Sequence, residues 1–380
     1  MYINRLSNIR KEVEKKSCFL LGARQTGKTS LIQNQFNDCR IYNLLDSEIF
    51  LKLSQNPKRL EEEITDNRKI IVIDEIQKLP ELLDTVHLII EKYGINFLLT
   101  GSSARKLRRG GVNLLGGRAR IRYLYPFVYR ELGDKFNLAR ALNYGLIPSI
   151  YLSDDPQEDL GAYAGLYLRE EVAAEGFARN MPAFSRFLSV AALSSGNMLN
   201  YAKISSDAQV PSSTVQEYFQ ILRDTQIGFD LKPWKETQKR KPVSTAKFYF
   251  FDNGILRYLQ NRPFFNIESP ETGYFFESFM ANELRAYCSY SRRGDLFYWR
   301  SKSGYEVDFI INGATAVEVK ASKNISGRDL RGIKALMEEN NLKNYVIVSL
   351  ESEKRRVEGI KILPWKYFLS VLWKKGHEDL

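Results

Sequence analysis

Eight residues near the start of the chain constrain its fold more than any others. In Gly22-Ala-Arg-Gln-Thr-Gly27-Lys28-Thr29, two glycines separated by four residues are followed by a lysine and a threonine. The apolar run Cys18 to Leu21 precedes this stretch, and a helical pattern from Thr29 to Phe36 follows it. Glycines let a backbone curl until its N–H groups face an anion, and the positive end of a helix adds its field at the same point. In that setting Lys28 reaches the β- and γ-phosphates of a nucleotide and the Thr29 hydroxyl ligates magnesium. Arg24, Gln25 and Thr26 between the glycines, with Ser30 on the first helical turn, complete the expected cradle around Gly22 and Gly27.

A second feature gives the loop its counterpart. Ile70-Ile-Val-Ile-Asp74-Glu75 is an apolar strand ending in two carboxylates, about 45 residues beyond Thr29. Asp74 is expected to hold the magnesium ion through its water shell, and Glu75 to polarise the attacking water. Adjacent acids are common at strand ends, so the pairing with the glycine loop is what carries the reading. A third apolar run, Ile95 to Thr100, leads into Gly101-Ser102-Ser103. There a hydroxyl, Ser102 first, either touches the γ-phosphate or the attacking water, or caps the helix that follows. Gly116-Gly117-Arg118 places an arginine on a turn, suited to reading the γ-phosphate. Arg105, Arg108, Arg109 and Arg120 compete for that role, and a solvated basic loop is the plain alternative.

These motifs lie in an alternation of short buried-type strands and helices that runs to about Glu131, as in an α/β domain with a parallel sheet. From about Ala139 to Phe229 strand signals fade and helical periodicity takes over. Strands return at Lys247 to Phe251, Leu296 to Trp299, Glu306 to Ile311, Ala314 to Lys320 and Tyr345 to Ser349, flanked by helices over roughly 272–290 and 327–340. The expected organisation is residues 1–138, 139–245 and 246–380. With 380 residues, two to three domains are the natural division. Three cysteines and two histidines supply neither a disulfide framework nor a structural zinc site. No run of about 18 apolar residues occurs, which argues against a membrane span, and no signal-like segment opens the chain, so the cytoplasm is the expected location. Fifty-six Lys and Arg against 45 Asp and Glu leave a net charge of +11, which favours a polyanion such as DNA as partner.

The order of motifs resembles that of prokaryotic AAA-type P-loop ATPases fused to a C-terminal nuclease-like domain. The residues that carry the likeness are Gly22 to Thr29, Asp74-Glu75-Ile-Gln-Lys-Leu-Pro80, Thr100-Gly-Ser-Ser-Ala-Arg105, Gly116-Gly-Arg118, and Tyr125-Pro-Phe127 with Glu131. The resemblance implies ATP with Mg²⁺, a sensor role for Ser102 and a γ-phosphate-reading role for Arg118, within a subunit or between the subunits of a homo-oligomer. It departs from the wider class in lacking a clear second sensor arginine, for which Arg169 and Arg179 are the nearest matches.

The middle of the chain reads as three helices, Phe184 to Leu193, Tyr201 to Ala208 and Ser213 to Arg223, with Gln209-Val-Pro211 as a turn. The spacing resembles a helix-turn-helix, and the basic stretch from Trp234 to Lys247 would supply a wing. A structural lid is the alternative. The reading helix is poor in positive charge, so Lys235, Lys239, Arg240 and Lys241 are the expected phosphate contacts.

In the last third Asp308 sits on one strand and Glu318-Val-Lys320 on the next, ten residues on. Alternate residues of a strand share a face, so Glu318 and Lys320 point the same way. Two carboxylates can hold a magnesium or manganese ion while a lysine orients or deprotonates a water. The set resembles the PD-(D/E)xK nuclease core, whose preceding helix adds an acid; Glu277 occupies that place and Glu283 is the second choice. The expected function is therefore an ATP-hydrolysing protein that couples nucleotide state to DNA engagement and metal-dependent cleavage. The alternative is a non-cleaving switch with a DNA- or protein-binding platform.

Overall fold

The computed structural model describes residues 2–64, 69–103, 115–168, 180–339 and 342–380. The chain divides into two compact units, Met1–Phe127 with Gln220–Ile227, and Val128–Phe219 with Gly228–Leu380.

The first unit is built on five parallel strands: β1 (Ser17–Leu21), β2 (Arg40–Asn43), β3 (Ile70–Asp74), β4 (Asn96–Gly101) and β5 (Ala119–Tyr123), in the order β2-β3-β4-β1-β5. Continuous apolar runs suit strands covered on both faces, and the side chains sort accordingly. Phe19, Leu21, Ile71, Ile73, Phe97 and Leu99 pack on one face against Leu82, Leu83, Val86 and Ile89 of the helix Leu82–Tyr93. Cys18, Leu20, Ile70, Val72 and Leu98 pack on the other with Leu31, Ile32 and Phe36. The alternation is the period-two geometry of a pleated strand. Because every strand runs the same way, the carboxyl ends of β1, β3 and β4 meet at one edge. β5 is an addition to the sequence reading. Its Ala-Arg-Ile-Arg-Tyr is too charged to announce a buried strand, and it survives at the sheet edge because Arg120 and Arg122 both pair with Glu12, at 3.6 and 2.9 Å.

The second unit opens with helices, among them Leu138–Tyr144, Pro156–Ala162, Met181–Leu193 and Tyr201–Ala208. Rings hold this part together: Phe184 meets Tyr218 edge-on at 4.9 Å and Phe187 meets Phe219 at 5.0 Å. There follows an eight-stranded mixed sheet, β6 (Gly228–Pro233), β7 (Lys247–Phe250), β8 (Leu296–Arg300), β9 (Glu306–Ile311), β10 (Thr315–Lys320), β11 (Asn344–Ser349), β12 (Arg355–Val357) and β13 (Ile360–Pro364), in the order β12-β13-β11-β10-β9-β8-β6-β7. The helices Thr272–Ser291, Arg331–Met337 and Trp365–Lys374 accompany it. Among the described residues no helix is long and apolar enough to cross a membrane.

The expected wing is not free-standing. β6 and β7 pair antiparallel, but β6 also runs parallel to β8, with Lys232 beside Phe297 and Pro233 beside Tyr298. Trp234 is buried in the core of this sheet with Trp299, which draws the strand pair into the sheet edge. The basic segment after it is pinned as well. The Glu339 carboxylate accepts hydrogen bonds from the backbone N–H groups of Gln238 and Lys239, each at 2.7 Å, and of Arg240 at 3.1 Å. The Arg240 guanidinium bonds Glu338 at 2.6 Å and lies over the Tyr305 ring. Arg240 is thus a latch rather than the phosphate contact expected of it, while Lys235, Lys239 and Lys241 are exposed.

Glu283, on the buried side of the helix Thr272–Ser291, is committed to the fold. It accepts from the Tyr129 backbone N–H at 2.8 Å and from the Trp373 indole N–H at 3.2 Å, which removes it from the metal-site role weighed for it. Burial pushes its carboxyl up to about 8 from an ordinary 4.5, against the pull of those two donors. A carboxyl whose pKa is raised on folding contributes most at low pH, and the contribution is lost as pH climbs from 4.5 through 8. The expected loss is about 1.4 kcal/mol per pH unit within that window. Glu283→Gln should flatten the decline of Tm between pH 5 and 8, as read by thermal unfolding on a pH series; an unchanged slope would remove Glu283 as its source.

Candidate nucleotide site and acid–lysine cluster

The glycine loop sits where the sequence places it, between the end of β1 and the helix Lys28–Gln35. The Gly22 N–H donates to the Gly101 carbonyl at 3.3 Å, and a side chain at Gly22 would overlap the Leu124 carbonyl. Gln25 and Gly27 turn the loop with φ of 58° and 92°. The Thr26 hydroxyl donates to the Ala23 carbonyl at 2.8 Å, bracing the turn. Arg5 grips it from outside, donating to the Thr26 carbonyl at 2.6 Å and to the Tyr125 carbonyl at 2.6 Å. Lys28 is 6% exposed and its ammonium lies in the loop, donating to the carbonyls of Gly22 at 2.8 Å and Ala23 at 3.1 Å. Gln25, Thr29 and Ser30 are exposed and Arg24 is half-buried.

Parallel pairing brings the acids to this loop. The Thr29 hydroxyl donates to Asp74 Oδ2 at 3.3 Å, and the Thr100 hydroxyl donates to Asp74 Oδ1. The Glu75 N–H in turn donates to Thr100 Oγ1 at 3.3 Å. Glu75 has a left-handed backbone, φ 61°, which turns its side chain out of strand register. Gln77 donates to the Glu75 carboxylate and to Ser102 Oγ, the latter at 3.3 Å. Thr100 and Gln77 are thus parts of the site whose connecting role sequence reading missed, although both stand inside the motifs it quoted. A hydroxyl and a buried carboxylate converging beside a lysine-bearing loop fit a magnesium ion, with Thr29 and Asp74 as the residues to hold it.

Arg118 is not brought to this edge. β5 pairs with β1 start to start, Ser17 beside Ala119 and Leu21 beside Tyr123. Arg118 therefore stands at the entry end of the sheet, about 15 Å along the strand direction from the glycine loop. Its guanidinium is paired with Glu91. It does not face the glycine loop of its own chain. Arg105, Arg108 and Arg109, and the second-sensor residues Arg169 and Arg179, lie outside the described residues.

The acids of the last third meet across β9 and β10, which are antiparallel neighbours. The Asp308 N–H donates to Glu318 Oε2 at 3.3 Å, the Val319 N–H donates to Asp308 Oδ2 at 2.8 Å, and the Lys320 ammonium donates to Glu318 Oε1 at 2.6 Å. Burial first, then the nearby charges of Glu318 and Glu277, pushes the Asp308 carboxyl far above its usual range; burial raises Glu318 too. Burial works against the Lys320 charge, but Glu318 and Asp308 outweigh it and its pKa is raised.

Glu277 belongs to a neighbouring set. It accepts from the Tyr249 hydroxyl at 2.6 Å, and the buried Lys247 ammonium lies 3.7 Å from it and 2.5 Å from Glu306. Among the described residues no group of three His, Cys, Asp or Glu is placed to hold a metal ion. The three-acid set with Glu277 is therefore not assembled. The Asp308 and Glu318 pair alone fits an ion that takes its other ligands from water and phosphate. Lys247 was missed in sequence, though a lysine inside Lys-Phe-Tyr-Phe asks for a buried partner.

Residues 14–133 match the family model of an AAA domain, and residues 135–266 and 272–368 match two domains of unknown function, DUF8612 and DUF4143. An uncharacterised protein of Mycobacterium tuberculosis and one of Mycobacterium bovis are each 24% identical over 248 residues, covering 64% of this chain and 56% of the relative. The chain thus spans little more than half the length of those two relatives. An uncharacterised protein of Haemophilus influenzae is 22% identical over 314 residues, covering 77% of this chain and 75% of its own. Among solved structures, the Aeropyrum pernix ORC1 protein in complex with DNA aligns at 16% identity over 66% of this chain and 87% of its own, with a TM-score of 0.25. The STAND protein PH0952 from Pyrococcus horikoshii aligns at 15% identity over 77% and 48%, with a TM-score of 0.22.

The match to an AAA domain thus falls on the part of the chain that holds the glycine loop, Asp74 and Glu75. Lys28→Ala should abolish binding of a fluorescent ATP analogue, because the ammonium neutralises phosphate charge in the ground state. Retention of wild-type affinity would remove the loop from nucleotide binding.

Proposed function

We propose that this chain hydrolyses ATP and that its nucleotide state governs engagement of DNA by the C-terminal part. The observation that carries the reading is the chain of contacts from Thr29 through Asp74 and Thr100 to Glu75, which sets a carboxylate base beside a phosphate-binding loop. In this reading the loop N–H groups and Lys28 bind and orient the phosphates. Thr29 and Asp74 would hold Mg²⁺, which supplies charge compensation to the phosphate oxygens. Glu75 accepts the proton of the attacking water, and Ser102 orients the γ-phosphate. Arg118, at the far end of its own sheet, serves a γ-phosphate only across a contact between copies of the chain, which makes a homo-oligomer part of the proposal. Residues 1–138 form the hydrolysing part, 139–245 the relay and 246–380 the DNA-facing part. The net charge of +11 and the exposed Lys235, Lys239 and Lys241 support the polyanionic partner.

The buried Asp308 and Glu318, with the half-buried Lys320, support a further step, phosphodiester cleavage with Mg²⁺ or Mn²⁺. Asp308 and Glu318 would hold the ion, and Lys320 orients the water. Glu277 acts from outside this pair, through Tyr249 and Lys247. A non-cleaving DNA clamp is the competing reading, favoured by the missing third acid.

Glu75→Gln should keep ATP affinity and lose at least about a hundredfold in turnover, since it acts only on the water in the transition state. Equal turnover in a steady-state phosphate-release assay would sink the hydrolytic assignment. On supercoiled plasmid with Mg²⁺ or Mn²⁺ the wild type should nick, and Asp308→Ala, Glu318→Ala or Lys320→Ala should each stop nicking while ATP turnover persists. Binding without nicking in either metal would establish the clamp instead.

A further inference from the structure

We infer that Gln77 is a positioning residue for ATP hydrolysis, tying the Glu75 carboxylate to the Ser102 hydroxyl, and that residue 101 is a glycine in order to admit the Gln77 amide. The inference rests on the hydrolytic reading above and deepens it.

Gln77 lies on the short 3-10 turn Ile76–Lys78 that follows Glu75. Ile76 beside it is fully buried in the core under the sheet, which fixes the turn, and Gln77 itself is only 8% exposed. Its amide nitrogen carries two hydrogens and directs them to two groups on different strand ends. One goes to the Glu75 carboxylate beyond β3, the other to Ser102 Oγ beyond β4, at 3.3 Å. Its carbonyl oxygen is buried and has no hydrogen-bond partner among the described residues. An unpaired buried acceptor is unfavourable, so packing alone would be better met by an apolar side chain of the same size. What the amide does that leucine cannot is donate to Glu75 and Ser102 together.

Gly101 supplies an independent observation. Its φ is not in the left-handed region, so the backbone there does not ask for glycine. A methyl group at this position would overlap the Gln77 side-chain oxygen, while the next nearest group, a Leu21 methyl at 3.9 Å, is an ordinary contact. Among the described residues the close obstacle to a side chain at 101 is therefore the Gln77 amide. Glu75 needs such a holder. It sits half-buried on a left-handed backbone, and its backbone bonds, from its own N–H to Thr100 and from the Lys78 N–H to its carbonyl, do not hold the carboxylate. The amide removes that freedom and refers the base to the serine expected to face the γ-phosphate.

The test uses the full chain, with ATP turnover and the affinity of a fluorescent ATP analogue measured together. Gln77→Leu keeps the packing volume and removes the donor. It should lower kcat by about 10- to 100-fold, as misplacement of a catalytic group does, with the analogue's Kd changed by less than about twofold. Gly101→Ala should lower kcat in the same direction by displacing the amide. In the Gln77→Leu, Gly101→Ala double mutant the second change should add less than about twofold, because the contact it perturbs is already gone. Gln77→Asn, with the amide one methylene shorter, should not restore kcat. Losses that multiply in the double mutant, or a kcat for Gln77→Leu equal to wild type while Glu75→Gln is inactive, would overturn the inference and leave the hydrolytic reading standing. An active Glu75→Gln would instead overturn that reading, and this one with it.

Discussion

The Asp74 carboxylate is the point on which the N-terminal part of the molecule turns. It is buried, and it accepts hydrogen bonds from Thr29, on the helix after the glycine loop, and from Thr100, near the end of β4. An ionisable group so enclosed is tolerated only when its lone pairs are used. The two threonines use them, and in doing so they lock three strand ends into one constellation. The parallel order β3-β4-β1 is the precondition, since in an antiparallel sheet these termini would lie on opposite edges.

The C-terminal acids follow a different logic. Asp308 and Glu318 face each other across antiparallel strands with a backbone N–H and a lysine dividing the charge between them. Lys247 performs the same service for Glu306 and Glu277 next door. The buried Lys247 and the half-buried Lys320 thus face four carboxylates and offset only part of their charge. Such partial compensation means that an arriving cation must compete with ammonium groups already in place.

Much of the first third was legible because its chemistry is local. The loop from Gly22 to Thr29, the Asp74-Glu75 pair and Ser102 each sit where short-range patterns put them. The legibility failed where partners are distant in sequence. β5 escaped notice because Arg120 and Arg122 look solvated until Glu12 is brought beside them. The place of Arg118 could not be read because a Gly-Gly turn says nothing of which end of a sheet it occupies. In the last third Asp308, Glu318 and Lys320 were readable from strand alternation. Glu277 was singled out on its helix, but its partners Tyr249 and Lys247, nearly thirty residues upstream, were not. The absorbed wing follows the same rule: Trp234 joins the sheet through β8, some sixty residues away.

Arg5 closes the circle in mechanical terms. One planar guanidinium grips the carbonyl of Thr26 in the glycine loop and those of Tyr125 and Pro126, just past β5, and it lies over the Phe127 ring. A guanidinium is a rigid fork with little internal slack. The loop and the chain's exit from the parallel sheet are therefore joined by a strut rather than a hinge. The position of the glycine loop is thereby tied to that of Tyr125 and Pro126, where the chain leaves the parallel sheet.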